Sequence, residues 1–217
     1  IHKKEYAKDL LEEIGVDSGK LPELVDYNET FPLTEDGAKL LGVTPGTPVL
    51  LSNPDGAMNQ TGSGGLKSGV MTVSVGTSSA LRMSVANAVL PEEPHTWCYL
   101  SPKGYLAGAA ISGGCSSIEW FREKIAQNAP YEQLECREDV DTPVFLPFLY
   151  GERCPGENEE RSGGFYGLKP YHDRRSMYQA VQEGVLFNLR QGYEELCRIC
   201  GEPQGIRLSG GILHSPE

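Results

Sequence analysis

The sequence lacks the features of several large classes of protein. It has no apolar run near the roughly 18 residues of a membrane span, and its first residues, IHKKEYAKDL, lack the apolar segment of a signal peptide. Positive charge is also scarce, since 19 Lys and Arg stand against 30 Asp and Glu, for a net charge of −11. Because binding to a nucleic acid backbone needs clustered Lys and Arg, neither a nucleic acid nor a membrane is an expected partner.

Closely spaced cysteines are scarce as well. Cys197 and Cys200 form the only C-x-x-C, and neither a second pair nor histidines at ligand spacing follow it. The pair falls in a helical pattern, where residues i and i+3 share a face, which favours packing over a zinc site. No metal ligands are therefore predicted. Free thiols without a signal peptide indicate a reducing cytoplasm.

Several stretches have the apolar periodicity of a helix. The clearest is 176–200, where apolar residues recur at spacings of four and three, and residues 4–14 and 116–126 have shorter helical patterns. In LTEDGAKLLG, Thr34 is a typical N-cap and Gly42 a typical helix end. These patterns predict a chain with at least four helices.

Strand patterns occur between the helices. They comprise a short, buried-looking strand at 48–52, a hairpin within 70–83, a strand–turn–strand at 97–109, a run at 144–149 and GIRLSGG at 205–211. The Gly/Ser-rich stretch 61–69 is the expected domain boundary. This order of elements predicts an α/β or α+β chain with a mixed sheet.

The tip of the hairpin VMTVSVGTSSALRM is small and polar. Gly76-Thr77-Ser78-Ser79 links the two alternating strands without a charge and without the Asn-Gly pair that sets a tight two-residue turn. Two interpretations are open. Gly, Ser and Thr are ordinary turn formers, but a tip of small residues also lets backbone N–H groups and hydroxyls approach an oxyanion closely.

Four separated motifs connect the chain to a known family. They are PVLLSNPDGAMNQTGSGG, VSVGTSSAL, FLPFLYGERCPGENEERSGGFYGL and IRLSGGILHSP. In their order and spacing the chain resembles the FGGY family of carbohydrate kinases, from about residue 20 to residue 217. Within the family, DGAMNQTGSG and the GTS turn are most similar to the gluconate kinase branch, with xylulokinase-like members close.

The resemblance implies an α/β chain of the ribonuclease H-like (actin-like ATPase) fold, truncated at both ends. Residues 1–66 are then the C-terminal part of the sugar-binding domain, and residues 67–217 the nucleotide-binding domain without its last helices. The family's first phosphate hairpin, with its Asp-x-Gly-Thr motif, is absent from this sequence. Ser215-Pro216-Glu217, a typical helix start, also predicts a fragment.

The chemistry that the resemblance implies is transfer of a phosphoryl group from ATP, with Mg²⁺, to a hydroxyl of a sugar or sugar acid. Asp55 corresponds to the general base that accepts the hydroxyl proton. Taken alone, an Asp between Pro54 and Gly56 is more typical of a turn. The implied nucleotide-binding residues are Gly76, Thr77, Ser78, Gly113, Gly114, Gly210, Gly211 and Ser215.

Alternatives remain for several of these positions. Gly113 and Gly114 are equally explained as loop glycines, and Ser215 as a helix cap. Glu119 stands where some relatives have Gln, and Glu157 where many have an aromatic residue. The charged loop GERCPGENEERSGG is by composition a solvated surface, whereas the family places this segment near the interdomain cleft.

Two functions of different classes follow. The first is a carbohydrate kinase, gluconate kinase-like, of which this fragment alone is inactive; its partners are ATP and a small sugar or sugar acid, and a cytoplasmic homodimer is among the expected assemblies. The second is a non-catalytic nucleotide- or anion-binding domain on an actin-like scaffold. Asp55 favours the kinase, because a binding module has no need of a carboxylate beside a phosphate hairpin.

Overall fold

The computed structural model describes residues 1–51, 54–93, 95–134 and 141–214. The chain divides into two units, Ile1–Met58 and Asn59–Glu217. The assignment of residues 1–66 to a sugar-binding domain and of 67–217 to a nucleotide-binding domain stays a prediction. Among the described helices, none combines the length and the apolar character needed to cross a membrane.

The first unit has two short helices and a two-stranded sheet. These are α1 (Lys8–Glu13), β1 (Thr30–Pro32), α2 (Glu35–Leu41) and β2 (Pro48–Leu50), with β1 and β2 antiparallel. The predicted caps of α2 are confirmed. Thr34 Oγ1 accepts the N–H of Gly37 at 3.1 Å, and Gly42 ends the helix with a left-handed φ of 68°.

Two predictions for this unit need correction. The helix expected over 4–14 begins only at Lys8. The strand expected over 48–52 ends at Leu50, and it is not buried, since Leu50 is 57% exposed. A sheet of two strands offers no second layer to cover this apolar run.

The remaining elements follow in chain order. They are α3 (Asp55–Gly62), β3 (Val70–Val75), β4 (Ser79–Val85), β5 (Trp97–Leu100), β6 (Tyr105–Ile111), α4 (Cys115–Trp120), β7 (Val144–Leu146), β8 (Gly164–Tyr166), α5 (Arg174–Cys200) and β9 (Gly205–Gly210). The hairpin, the strand–turn–strand and the long helix are confirmed. The helix expected over 116–126 is interrupted, because a π-helical turn, Phe121–Ile125, follows α4.

A five-stranded sheet forms the centre of the second unit, in the order β5-β6-β4-β3-β9. Only β3 and β9 are parallel neighbours; the other neighbouring strands are antiparallel. One face of α5 packs on β4 and β6, which accounts for its spacing of four and three. The buried side chains of this core include Met71, Leu81, Met83, Ile111, Leu189 and Leu196. A second core, which contains Phe121, Phe145, Tyr178 and Val181, lies beside the first half of α5.

Candidate functional site

Seven of the eight predicted nucleotide-binding residues meet at one edge of the five-stranded sheet. Val75, the last residue of β3, is paired with Gly210, the last residue of β9, so these parallel strands end together. The tip 76–78 follows β3, and Gly211 follows β9. At the same edge β4 begins and β6 ends, with Ser79 paired to Ile111, and residues 113 and 114 follow. Ser215 lies outside the described residues.

Hydrogen bonds join the hairpin tip to the start of α4. The carbonyl of Gly76 accepts the N–H of Cys115 at 2.8 Å, and the carbonyl of Thr77 accepts the N–H of Ser116 at 3.2 Å. In addition, Ser79 Oγ donates to the carbonyl of Gly113 at 3.3 Å. The tip is therefore held in place by backbone contacts and does not depend on a ligand for its position.

Three of the glycines are needed for these close approaches. A Cβ on Gly114 would lie 2.7 Å from both the Gly76 carbonyl oxygen and Ser79 Oγ. A Cβ on Gly113 would lie 2.8 Å from the carbonyl oxygen of Pro147. Gly210 has a φ of +91°, and a Cβ there would collide with the carbonyl of Val75. Packing within the protein thus explains these glycines, with or without a nucleotide.

At Gly76, in contrast, packing within the protein does not require a glycine. The nearest atom to a Cβ at this position is the carbonyl oxygen of Ser78 at 3.8 Å, an ordinary contact, and Thr77 and Ser78 are exposed. The backbone N–H of Ser116, next along the chain from Cys115, donates to the tip at the carbonyl of Thr77. A small, exposed tip with room at Gly76 fits an oxyanion ligand such as phosphate.

Asp55 belongs to the first unit, as the first residue of α3. It is exposed, and its Oδ1 accepts the N–H of Gly56 at 2.6 Å. Asp55 therefore starts a helix instead of standing in an isolated turn. An exposed carboxylate at a helix start can accept a proton from a substrate hydroxyl, but its catalytic role stays a prediction.

Glu119 on α4 is held by an ion pair close to the hairpin tip. Its carboxylate accepts hydrogen bonds from Arg122, at 2.9 Å to Nε, and from the Tyr131 hydroxyl at 2.8 Å. The hydrogen bond from Arg122 is the main reason why the pKa of Glu119 falls to about 2. This side chain is therefore charged and already paired, which fits a role in holding α4 better than a direct contact with a nucleotide.

The charged loop between β7 and β8 is more ordered than its composition suggests. Glu152 is buried, with a side chain 2% exposed, and its carboxylate pairs with Arg161 Nη1 at 2.6 Å. The Arg161 guanidinium lies over the ring of Phe148, 4.8 Å from its centroid. Gly156 must lack a side chain because a Cβ there would collide with the Glu152 carboxylate. The expectation of a wholly solvated surface is therefore wrong for this pair, although residues 157–161 are exposed.

Sequence reasoning missed two residues at the sheet edge. Ser79 joins the hairpin to the segment before α4, as described above, and the thiol of Cys115 lies 3.8 Å from the Val75 carbonyl oxygen. A Cβ on Gly211 would lie 3.0 Å from the Cys115 sulfur. Ser79 could have been inferred from its place in the GTSS tip, but no local pattern marks Cys115.

The described residues hold no group of three or more His, Cys, Asp or Glu that could bind a metal ion. The five cysteines that the structure describes are free. Both cysteines of the C-x-x-C lie on α5, as their helical spacing predicts, and Cys200 packs against the core.

Comparisons with known proteins agree on one family. A model of the C-terminal domain of the FGGY family of carbohydrate kinases matches residues 71–217. The chain is 28% identical to a gluconokinase of Bacillus subtilis, over 97% of this chain and 45% of that protein. It is 27% identical to a xylulose kinase of Escherichia coli, over 99% of this chain and 46% of that protein. The chain thus spans about half the length of these relatives.

Solved structures give the same result. The xylulose kinase of Lactobacillus acidophilus superposes with a TM-score of 0.85 at 27% identity, covering 98% of this chain and 45% of that one. The gluconate kinase of the same organism gives a TM-score of 0.78 at 27% identity, covering 97% and 44%. The predicted ribonuclease H-like (actin-like ATPase) fold is therefore confirmed.

Proposed function

Since this chain belongs to the FGGY family of carbohydrate kinases, we propose that the protein transfers the γ-phosphoryl group of ATP to a hydroxyl of a sugar or sugar acid. Gluconate is the favoured acceptor, because the DGAMNQTGSG and GTS motifs are most similar to the gluconate kinase branch. The observation that carries the proposal is the convergence of the hairpin tip with Gly210 and Gly211 at one sheet edge.

The sheet edge is suited to the phosphates of ATP. Phosphoryl transfer depends mainly on positioning and on stabilisation of charge on the phosphate oxygens. Thr77 and Ser78 are exposed, and among the described residues the nearest atom to a Cβ at Gly76 is the Ser78 carbonyl oxygen at 3.8 Å. In the proposed complex the tip holds the phosphates, and Gly113, Gly114, Gly210, Gly211 and Ser215 border the nucleotide.

Asp55 is the proposed general base. The acceptor hydroxyl oxygen forms a bond to the γ-phosphorus, the bond from that phosphorus to the bridging oxygen breaks, and ADP leaves with the electron pair. The proton of the hydroxyl passes to the Asp55 carboxylate. A positioned base of this kind contributes about 10²- to 10⁴-fold in rate.

Mg²⁺ is proposed only as part of the nucleotide substrate. The described residues offer no ligand cage for the ion, and Mg²⁺ at such sites is commonly bound by substrate phosphates with one or two carboxylates. When bound, it neutralises phosphate charge. The proposal also includes a cytoplasmic location and, among the possible assemblies, a homodimer. Its partners are ATP and a small sugar or sugar acid, without a nucleic acid or a membrane.

The test uses the protein expressed from its complete reading frame. ADP release is coupled to a spectrophotometric assay, with gluconate, xylulose and glycerol each supplied in turn with MgATP. The proposal predicts ADP release that depends on added acceptor and is fastest with gluconate. ATP binding without any acceptor-dependent release of ADP would instead support the non-catalytic binding domain.

A further inference from the structure

Gln60, in the last turn of α3, is a fully buried amide. Its side chain is 0% exposed, although amide side chains are mostly found at protein surfaces. Nε2 donates to the carbonyl of Gly65 at 2.8 Å, and it also lies within hydrogen-bonding distance of the Val70 carbonyl and of Ser84 Oγ, each at 3.2 Å. Oε1 accepts a hydrogen bond from the hydroxyl of Thr72. The amide is therefore satisfied on both sides.

The partners of Gln60 are themselves buried and linked. Thr72 is 0% and Ser84 is 1% exposed, and Ser84 Oγ donates to the Gly65 carbonyl at 2.7 Å. Gly65 cannot have a side chain, because a Cβ would lie 2.5 Å from Gln60 Nε2 and 2.8 Å from Thr72 Cγ2. The Gly/Ser-rich stretch after α3 is thus packed at Gly65 and does not act there as a loose linker.

This network connects α3 to the strands that form the hairpin. Thr72 lies on β3 and Ser84 on β4, on the sheet face opposite α5, since their neighbours Met71 and Met83 point into the α5 core. The tip that follows β3 is the proposed phosphate site. Gln60 therefore fixes the last turn of α3 to the same strand that presents Gly76.

The other end of the same helix begins with the proposed general base. Asp55 and Gln60 are five residues apart on α3, about 7.5 Å along a helix axis at 1.5 Å per residue. A helix of two turns transmits the position of one end to the other, because its backbone hydrogen bonds keep it rigid. Gln60 therefore anchors the last turn of the helix on which Asp55 is the first residue.

We propose that Gln60 is a positioning residue for phosphoryl transfer, which acts by holding the helix that presents Asp55. The inference rests on the proposed function, because it needs Asp55 to be the general base. Loss of an ordinary buried amide lowers only the stability of the protein. Loss of the Gln60 amide is expected to lower the rate of the chemical step as well.

The test is a set of variants of the protein expressed from its complete reading frame. Gln60→Met keeps the length of the side chain and removes both polar ends. Because a displacement near 1 Å can cost about 10²-fold in rate, we expect kcat to fall about 10- to 100-fold well below the melting temperature. The KM for ATP is expected to stay within about twofold, since the tip itself is unchanged.

Asn188→Leu is the matched control. Asn188 is a buried amide on α5 that donates to the Cys154 carbonyl at 3.1 Å, far in sequence from α3. Its loss is expected to lower the melting temperature and to leave kcat near wild type. Equal losses of kcat in Gln60→Met and Asn188→Leu would show that removing any buried amide has the same effect and would overturn the inference.

A double-mutant cycle with Asp55→Asn is the decisive measurement. If Gln60 acts through Asp55, then Asp55→Asn/Gln60→Met has the kcat of Asp55→Asn alone, within about twofold. Losses that multiply would contradict the inference. Thr72→Val, which removes only the hydroxyl donor to Gln60 Oε1, replaces Gln60→Met in the same cycle if that variant does not fold.

The same experiment distinguishes the two hypotheses. A wild-type protein without acceptor-dependent turnover refutes the proposed function and the inference with it. Asp55→Asn with wild-type kcat refutes the role of Asp55 as the general base, and with it the inference, but leaves the kinase activity standing. A large loss in Asp55→Asn, together with an unchanged kcat in both Gln60→Met and Thr72→Val, refutes the inference alone.

Discussion

Gly76→Val separates a phosphate site from an ordinary turn. The nearest protein atom to a Cβ at Gly76 is 3.8 Å away, and φ is outside the left-handed region, so the substitution is compatible with the fold. If phosphate approaches the tip here, the valine side chain excludes it from at least one donor. A hydrogen bond to a charged group contributes about 1.5 to 3 kcal/mol, which corresponds to about 10- to 100-fold weaker ATP binding.

Isothermal calorimetry on the protein expressed from its complete reading frame measures this effect. The affinity for ATP is expected to fall by that factor, while the affinity for gluconate and the melting temperature stay near wild type. Gly164→Val is the matched control, because a Cβ on Gly164 has no atom of the described residues within 4 Å and this residue belongs to β8 and not to the tip. An unchanged ATP affinity in folded Gly76→Val would show that the tip is an ordinary turn and does not bind phosphate.

Gly114→Ala is the contrasting substitution. Its Cβ would lie 2.7 Å from the Gly76 carbonyl oxygen and from Ser79 Oγ, so α4 must shift away from the tip. Overpacking of this kind typically costs about 1 to 3 kcal/mol. We therefore expect the melting temperature to fall in Gly114→Ala and to stay unchanged in Gly76→Val. Loss of stability in both variants would contradict the distinction drawn between these glycines.

The remaining predictions concern two ion pairs. The pKa of Glu119 falls from 4.5 to about 2 on folding, so the stability that this group adds is present above pH 4.5 and is lost as the pH falls towards 2. Unfolding by urea between pH 2 and 6 should therefore show a smaller loss of stability with acid in Glu119→Gln than in wild type, and parallel curves would contradict the pairing. Arg161→Met leaves the Glu152 carboxylate buried without its partner, and because Arg161 is half exposed we expect a loss of about 1 to 3 kcal/mol. Thermal unfolding should show partial recovery in Glu152→Gln/Arg161→Met, and no difference between the single and double variants would rule out a coupled pair.

Local sequence patterns were sufficient to predict those parts of the fold that depend on residues close together in the sequence. The spacing along α5, the caps Thr34 and Gly42 and the alternation on both sides of the tip each depend on contacts within an element or a hairpin. The motifs also predicted that the tip and Gly210 lie in one site. This prediction came from the family resemblance, because sequence spacing alone does not show which separated segments lie together.

Long-range contacts explain what could not be predicted. The burial of Gln60 depends on Ser84, 24 residues away, and nothing in DGAMNQTG marks this side chain as interior. The pairing of Glu152 with Arg161 likewise turns a charged loop into a packed one. The π-helical turn after α4 has no pattern that distinguishes it from continued α-helix.

In the proposed mechanism this protein is a sugar kinase that uses Asp55 as its base. The most direct test measures kcat for gluconate in wild type and in Asp55→Asn, with ATP affinity determined in parallel. We expect gluconate-dependent ADP release in wild type and a kcat about 10² to 10⁴ times lower in the variant, with ATP affinity little changed. Asp55→Asn keeps the size of the side chain, so its melting temperature should stay near wild type. If the variant phosphorylates gluconate at nearly the wild-type rate, Asp55 is not the general base.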